Sequence, residues 1–183
     1  MNTREFPSLN LARLINEGGT AQASGQLDHL SPTAGAAPTL QGSLTWKATV
    51  TAMEDQEFFL SGEVAGYVQL ECARCLEATP AAVRGYLQYL LRYVPGTRGL
   101  ELIEEDDEDI LLVGDPVLDL TQILEENFLA AVPFRVLCQP DCPGICPDCG
   151  ANLKHQPHQP DCRSQQATRG KLAGLEHFLP EQD

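Results

Sequence analysis

Long apolar runs are what this sequence most obviously lacks. No window approaches the roughly 18 consecutive apolar residues of a membrane span, so no membrane association is expected. The start, MNTREFPSLN, has no apolar segment behind a basic one. That argues against a secretory signal peptide and for a cytoplasmic location. Positive charge is also scarce: twelve Lys and Arg stand against 26 Asp and Glu, a formal net charge of −14 over 183 residues. Such a body repels a phosphate backbone and attracts basic partners, although solubility alone accounts for much of it. Catalytic signatures are missing too, with no Ser/His/Asp set, phosphate-binding loop or HExxH. The expectation is a protein that is not an enzyme.

Cysteine, by contrast, is plentiful and clustered. Five of the seven lie between Cys138 and Cys162, spaced C-x3-C-x3-C-x2-C-x12-C, and Cys146-Pro147-Asp148-Cys149-Gly150 reads as a zinc knuckle. Two thiolates three residues apart grip one tetrahedral ion, and the glycine permits the tight turn beneath them. A second CxxC, Cys72-Ala73-Arg74-Cys75, stands upstream. In a reducing compartment this usage points to metal or redox work rather than to a disulfide framework. A metal–thiolate cluster also offsets the conformational entropy of a segment too rich in Pro and Gly for regular structure. Structural Zn2+ is therefore expected, with one ion or two.

Two partitions are open. In one, Cys72, Cys75, Cys138 and Cys142 hold a first ion, while Cys146, Cys149 and Cys162 hold a second with His158 or His155. In the other, a single ion takes Cys142 or Cys138 with Cys146, Cys149 and Cys162, leaving Cys72 and Cys75 as bystanders. Either way the protein closes the coordination sphere and no position remains for water. The competing class is a dithiol exchanging with disulfides. It needs a thiolate at a helix N-terminus in a βαβ setting, whereas Cys72 closes a strand.

Periodicity supplies the scaffold, an α+β fold with an antiparallel β-sheet core, a packed amphipathic helix and a cysteine-rich zinc-binding C-terminal module. The division expected is a core over 1–137 and a knuckle module over 138–183. Leu9 to Ile15 reads equally as a first strand or a helical turn. Small and polar residues over 18–42 read as a surface loop. Alternation at Leu44, Trp46, Ala48 and Val50, then Phe58 to Leu70, then Val83 to Tyr93, predicts three strands in a meander. Gly62 and Gly66 suggest bends or bulges in the second. Seven acids in nine residues over 101–109 read as a solvated loop, or as a surface for a basic partner; the spacing of a calcium loop is absent. Ile110 to Val113 follows as a strand.

Asp119 is placed to cap a helix with Gln122 as its capping-box partner. Leu120, Ile123, Leu124, Phe128 and Ala131 form its apolar stripe, Glu125 and Glu126 face solvent, and Pro133 ends it. A short helix is predicted over 167–179. Lys154, Arg163, Arg169 and Lys171 make a small basic island, a weak candidate for contact with RNA phosphate.

Several of these stretches together are similar to one bacterial family: Cys72-Ala73-Arg74-Cys75-Leu76-Glu77, the acidic block leading to Asp119-Leu120, the Glu125-Glu126 helix, Ala131-Val132-Pro133, and above all CQPDCPGICPDCGANL from Cys138 to Leu153. They resemble the YceD-type large ribosomal RNA subunit accumulation proteins. The resemblance implies a non-enzymatic role in 23S rRNA accumulation, hence ribosome biogenesis. With the acidic charge, it suggests a basic ribosomal protein or a pre-50S particle as partner. Members with the full cysteine complement often carry C-x-C near the end, where this chain has Cys162-Arg163-Ser164. Serine is a poor zinc ligand, so by this likeness the second site is completed by a histidine or lost.

Overall fold

The computed structural model describes residues 6–31, 38–54, 56–105 and 107–166. The helix expected over 167–179, and with it Arg169 and Lys171, lies outside them. The chain forms two compact units. One comprises Met1–Leu70 and Pro80–Phe134, the other Glu71–Thr79 and Arg135–Asp183. The hairpin end 71–79 thus belongs with the cysteine-rich unit, whereas the division at residue 137 leaves it in the core.

The first unit is built on a mixed, largely antiparallel seven-stranded sheet, so its architecture is α+β. Its strands are β2 (Thr20–Leu27), β3 (Thr39–Leu40), β4 (Leu44–Ala52), β5 (Glu57–Glu71), β6 (Ala78–Tyr93), β7 (Leu100–Glu105) and β8 (Glu108–Val113), ordered β2-β4-β5-β6-β8-β7 with β3 also on β5. β1 (Ser8–Asn10) pairs separately with β9 (Val117–Asp119), and α1 (Ala12–Glu17) follows β1. The stretch that reads both ways is therefore strand and then helix. No helix among the described residues is long and apolar enough to cross a membrane.

The alternating positions of β4 to β6 bury Leu44, Trp46, Val50, Phe58, Leu60, Val64, Val68, Val83, Leu87 and Leu91. This is the period-two pattern that predicts the strands. Three expectations fail. First, the supposed loop over 18–42 contains β2, paired residue for residue with β4 from Thr20↔Thr51 to Leu27↔Leu44. An edge strand of Ala, Ser, Gln and Gly is held by backbone hydrogen bonds, which side-chain hydropathy does not reveal. Second, β5 has no bulge at Gly62: its register with β4 is continuous from Ala52↔Phe58 to Thr45↔Ala65. A Cβ at Gly62 would stand 2.3 Å from the Lys47 carbonyl oxygen, so this glycine serves close strand contact.

Third, the acidic block is a hairpin. β7 pairs antiparallel with β8, and β8 runs parallel to β6, so the sheet is not a simple meander. Apolar residues set within the acids explain it. Ile110, Leu111 and Val113 are buried, and Ile103 lies opposite Ile110; that apolar pairing outweighs the charge on the rest.

α2 (Thr121–Ala130) buries Ile123, Leu124 and Phe128, as its stripe predicts. Its backbone lies so near β6 that a Cβ on Gly85 would sit 2.4 Å from the Asn127 carbonyl oxygen. The Asp119 carboxylate accepts the Thr121 amide at 2.8 Å, but Gln122 bonds Glu126 instead of closing a capping box. Glu125 is not a solvent-facing charge. It is 7% exposed and accepts the Ser31 amide at 2.8 Å.

Candidate metal centre

Both CxxC segments adopt the same backbone turn. At the first, the Leu76 amide donates to the Cys72 carbonyl and the Cys72 amide to the Glu77 carbonyl, each at 2.9 Å. At the second, Gly150 donates to Cys146 and Cys146 to Ala151, again at 2.9 Å. The residue after each second cysteine is left-handed, Leu76 at φ 60° and Gly150 at φ 70°. Only the second of these positions carries the residue that adopts this conformation without steric cost.

The turns assemble two groups. Cys72, Cys75, Cys138 and Cys142 form one; Cys146, Cys149, Cys162 and His158 form the other. In each group the four ligand atoms all lie within 4.8 Å of one another. In the first, Cys72 Sγ is 3.8 Å from Cys142 Sγ and Cys75 Sγ 3.6 Å from Cys138 Sγ. In the second, Cys146 Sγ is 3.6 Å from Cys162 Sγ, and His158 Nδ1 lies 3.3 Å from Cys162 Sγ and 3.8 Å from Cys149 Sγ. Metal–sulfur bonds of about 2.3 Å around a tetrahedral Zn2+ imply S···S edges of about 3.8 Å, and S···N edges of about 3.6 Å. The observed spacings match those edges and are far longer than the ~2 Å of a disulfide.

Electrostatics agrees with the spacing. Burial opposes ionisation of Cys72, yet amides of Cys138, Arg74 and Cys75 outweigh it and lower the thiol to about 6. Burial pushes the Cys138 and Cys142 thiols up. At Cys75 the Glu77 amide favours the thiolate, but burial and the Cys72 sulfur prevail and the thiol rises. One anion thus discourages the next, a conflict that a divalent cation removes. In the second group the Cys149 amide lowers Cys146 to about 6 against burial. His158, with Cys149 beside it, is raised.

Glu77 ties the knuckles together. Its carboxylate receives Asn152 Nδ2 at 3.2 Å and also binds Lys154 Nζ and His155 Nε2. These partners hold the carboxyl at about 2, Lys154 contributing most. Lys154 Nζ reaches Cys138 Sγ at 3.7 Å, which puts a cation beside the first group. The Arg74 guanidinium donates to the Cys142 carbonyl at 2.9 Å.

All seven cysteines and His158 fall in one of the two groups, grouped as in the first of the two partitions. His155 is instead spent on Glu77. Ser164, two residues beyond Cys162, has its hydroxyl 3.6 Å from Cys146 Sγ and bonded to the Asp148 carboxylate. Lys154 of the basic island is likewise held by Glu77, and Arg163 opens α3 (Arg163–Gln166). Sequence reasoning missed Glu77 and Leu76 as parts of the site. The signal was available in Cys72–Glu77 aligned on Cys146–Ala151.

Comparison with known proteins decides the family. The model of the large ribosomal RNA subunit accumulation protein YceD matches residues 60–179, more than half of the chain. The chain belongs to the YceD family. The matched segment contains both CxxC turns of this YceD chain and all eight residues of the two groups. Among curated proteins, the chain is similar to uncharacterized proteins of Mycobacterium bovis and Mycobacterium tuberculosis, each 38% identical over 98 residues. Those alignments cover 54% of this chain and 46% of the relative. An uncharacterized protein of Mycobacterium leprae is 32% identical over 108 residues, covering 59% and 48%. The chain thus spans about half the length of the curated relatives it matches. No solved structure matches.

Proposed function

We propose that this YceD-family chain is a cytoplasmic, non-enzymatic ribosome-biogenesis factor that supports 23S rRNA accumulation and large-subunit assembly. It does so by binding a basic ribosomal protein or a pre-50S particle, on a module held together by two structural Zn2+ ions. The observation that carries the metal reading is the pair of four-ligand groups at tetrahedral spacing. Sulfur-rich tetrahedral donor sets select zinc over hard cations, and with four protein ligands in each group no corner is left for a reacting water. The ribosomal reading rests on the family match, and the basic partner on the net charge of −14.

Native mass spectrometry with elemental analysis tests the first part: two zinc ions per chain are expected, and a folded protein indifferent to chelator would end that reading. Co-purification at low salt tests the second, and recovery of neither a ribosomal protein nor a pre-50S particle counts against it.

The lowered thiols of Cys72 and Cys146, both at about 6, favour thiol–disulfide exchange as a second reading. Four thiols in the first group, and three with an imidazole in the second, rather than an isolated dithiol, speak for metal. Insulin reduction and thiol titration with and without chelator separate the two. Direct RNA binding by a zinc ribbon is less favoured, because Lys154 is already neutralised by Glu77.

A further inference from the structure

A cleft of about 590 Å3 in the first unit has no role in the metal sites. Leu27, Leu100, Val113 and Leu118 give it apolar walls, and the carboxylates of Asp115, Asp119 and Glu125 line it with no Lys or Arg among the described residues. Asp115 and Asp119 are held in place, each accepting a backbone amide at 2.8 Å, from Val117 and Thr121 respectively. Glu125 is nine-tenths buried with a backbone amide as its partner and no ion pair among the described residues. A buried carboxylate ordinarily keeps a cation close.

The same cleft touches the start of the last strand of the sheet. Leu100 lines it and begins β7, the last strand in the sheet order, so one edge of β7 is unpaired among the described residues. β7 carries Leu102 at 61% exposure. Glu104 faces Asp109 and Glu105 faces Glu108 across the hairpin. Like charges directly opposite are destabilising, and within the block only Glu105 is relieved among the described residues, by Arg92. An acidic edge of this kind repels a second copy of itself and admits a strand of opposite charge.

We propose that the cleft and the β7 edge bind an extended basic peptide segment. The segment adds to the sheet as a strand. It places a cationic and an apolar side chain in the cleft and sets further cations along the hairpin acids. Main-chain pairing supplies affinity and the alternating side chains supply selectivity. The segment's origin in a ribosomal protein rests on the function proposed above; the chemistry of the site does not.

The test uses the full zinc-loaded chain and a fluorescent alternating Lys–Val peptide of about twelve residues. Saturable binding is expected, weakening at least about tenfold between roughly 0.05 and 0.3 M salt, with no binding of the matching Glu–Val peptide. Asp115→Lys, and separately Glu104→Lys with Glu108→Lys, should each weaken binding at least about tenfold. The hairpin pair should meanwhile raise the thermal midpoint by removing the opposed charges, a combination that general unfolding does not produce. Equal binding of a Lys–Gly peptide would overturn the proposal, as would unchanged binding by the variants. Peptide binding without recovery of pre-50S particles would refute the ribosomal reading alone. Particle association that survives all three substitutions would refute this site alone.

Discussion

His158 and Leu76 are the residues on which the two knuckles differ most. His158 Nδ1 lies 3.3 Å from Cys162 Sγ, and Ser164, two residues beyond Cys162, has its hydroxyl 3.6 Å from Cys146 Sγ. Replacing His158 with Ala should lower affinity for the second ion at least about a hundredfold, more than loss of an outer-shell partner costs. Metal content should fall toward one ion per chain by elemental analysis. Adding Ser164→Cys to that variant should restore the second ion, because the new thiol starts beside Cys146. Failure of the double variant to recover would mean that Ser164 does not point into the group. Leu76 is a different matter. It is 60% exposed and left-handed, so Leu76→Gly gives up little burial and relieves the Cβ clash. A gain of about 1 kcal/mol, or about 2–4 °C in the thermal midpoint, is expected by calorimetry.

Among the elements, α2 depends on a single missing side chain in β6. A methyl at Gly85 would collide with the Asn127 carbonyl and the Phe128 amide, both backbone atoms that yield only if the helix moves. Gly85→Ala should therefore destabilise the first unit by about 1–3 kcal/mol, the usual cost of overpacking, and the Asn127–Tyr89 hydrogen bond of 2.6 Å should be lost with it. Denaturant unfolding checks the first, and the hydroxyl resonance of Tyr89 the second. The zinc content of this variant should not change.

At the scale of the whole molecule, the first unit is stabilised by a buried apolar face, and on the function proposed above the second is stabilised by metal held in its two four-residue groups. Chelation should accordingly expose the amides of 71–79 and 135–166 to hydrogen exchange while β4 to β6 stay protected. Uniform loss of protection across the chain would contradict this. Metal loading is also linked to protons. At pH 7.5 the raised thiols of Cys75, Cys138 and Cys142 are still protonated and Cys72, at about 6, is not. Filling the first group should therefore expel about three protons, since every ligand must become a thiolate. Because protons compete with the ion, affinity should fall steadily as the solution is acidified. Titration calorimetry in buffers of different ionisation enthalpy counts them.

What the sequence by itself determined is local. The period-two burial of β4 to β6, the stripe of α2 and the donor types at eight positions were all legible, because side-chain alternation and CxxC spacing act over a few residues. Tertiary structure decided which distant atoms meet. It gathered the seven cysteines and His158 into two groups of four and spent His155 on Glu77. It also made β2 an edge strand, folded the acidic block into the β7–β8 hairpin and buried Glu125 against Ser31. Each of these outcomes depends on backbone pairing or on contacts between residues far apart in the chain, and such terms leave no imprint on the hydropathy of the segment they organise.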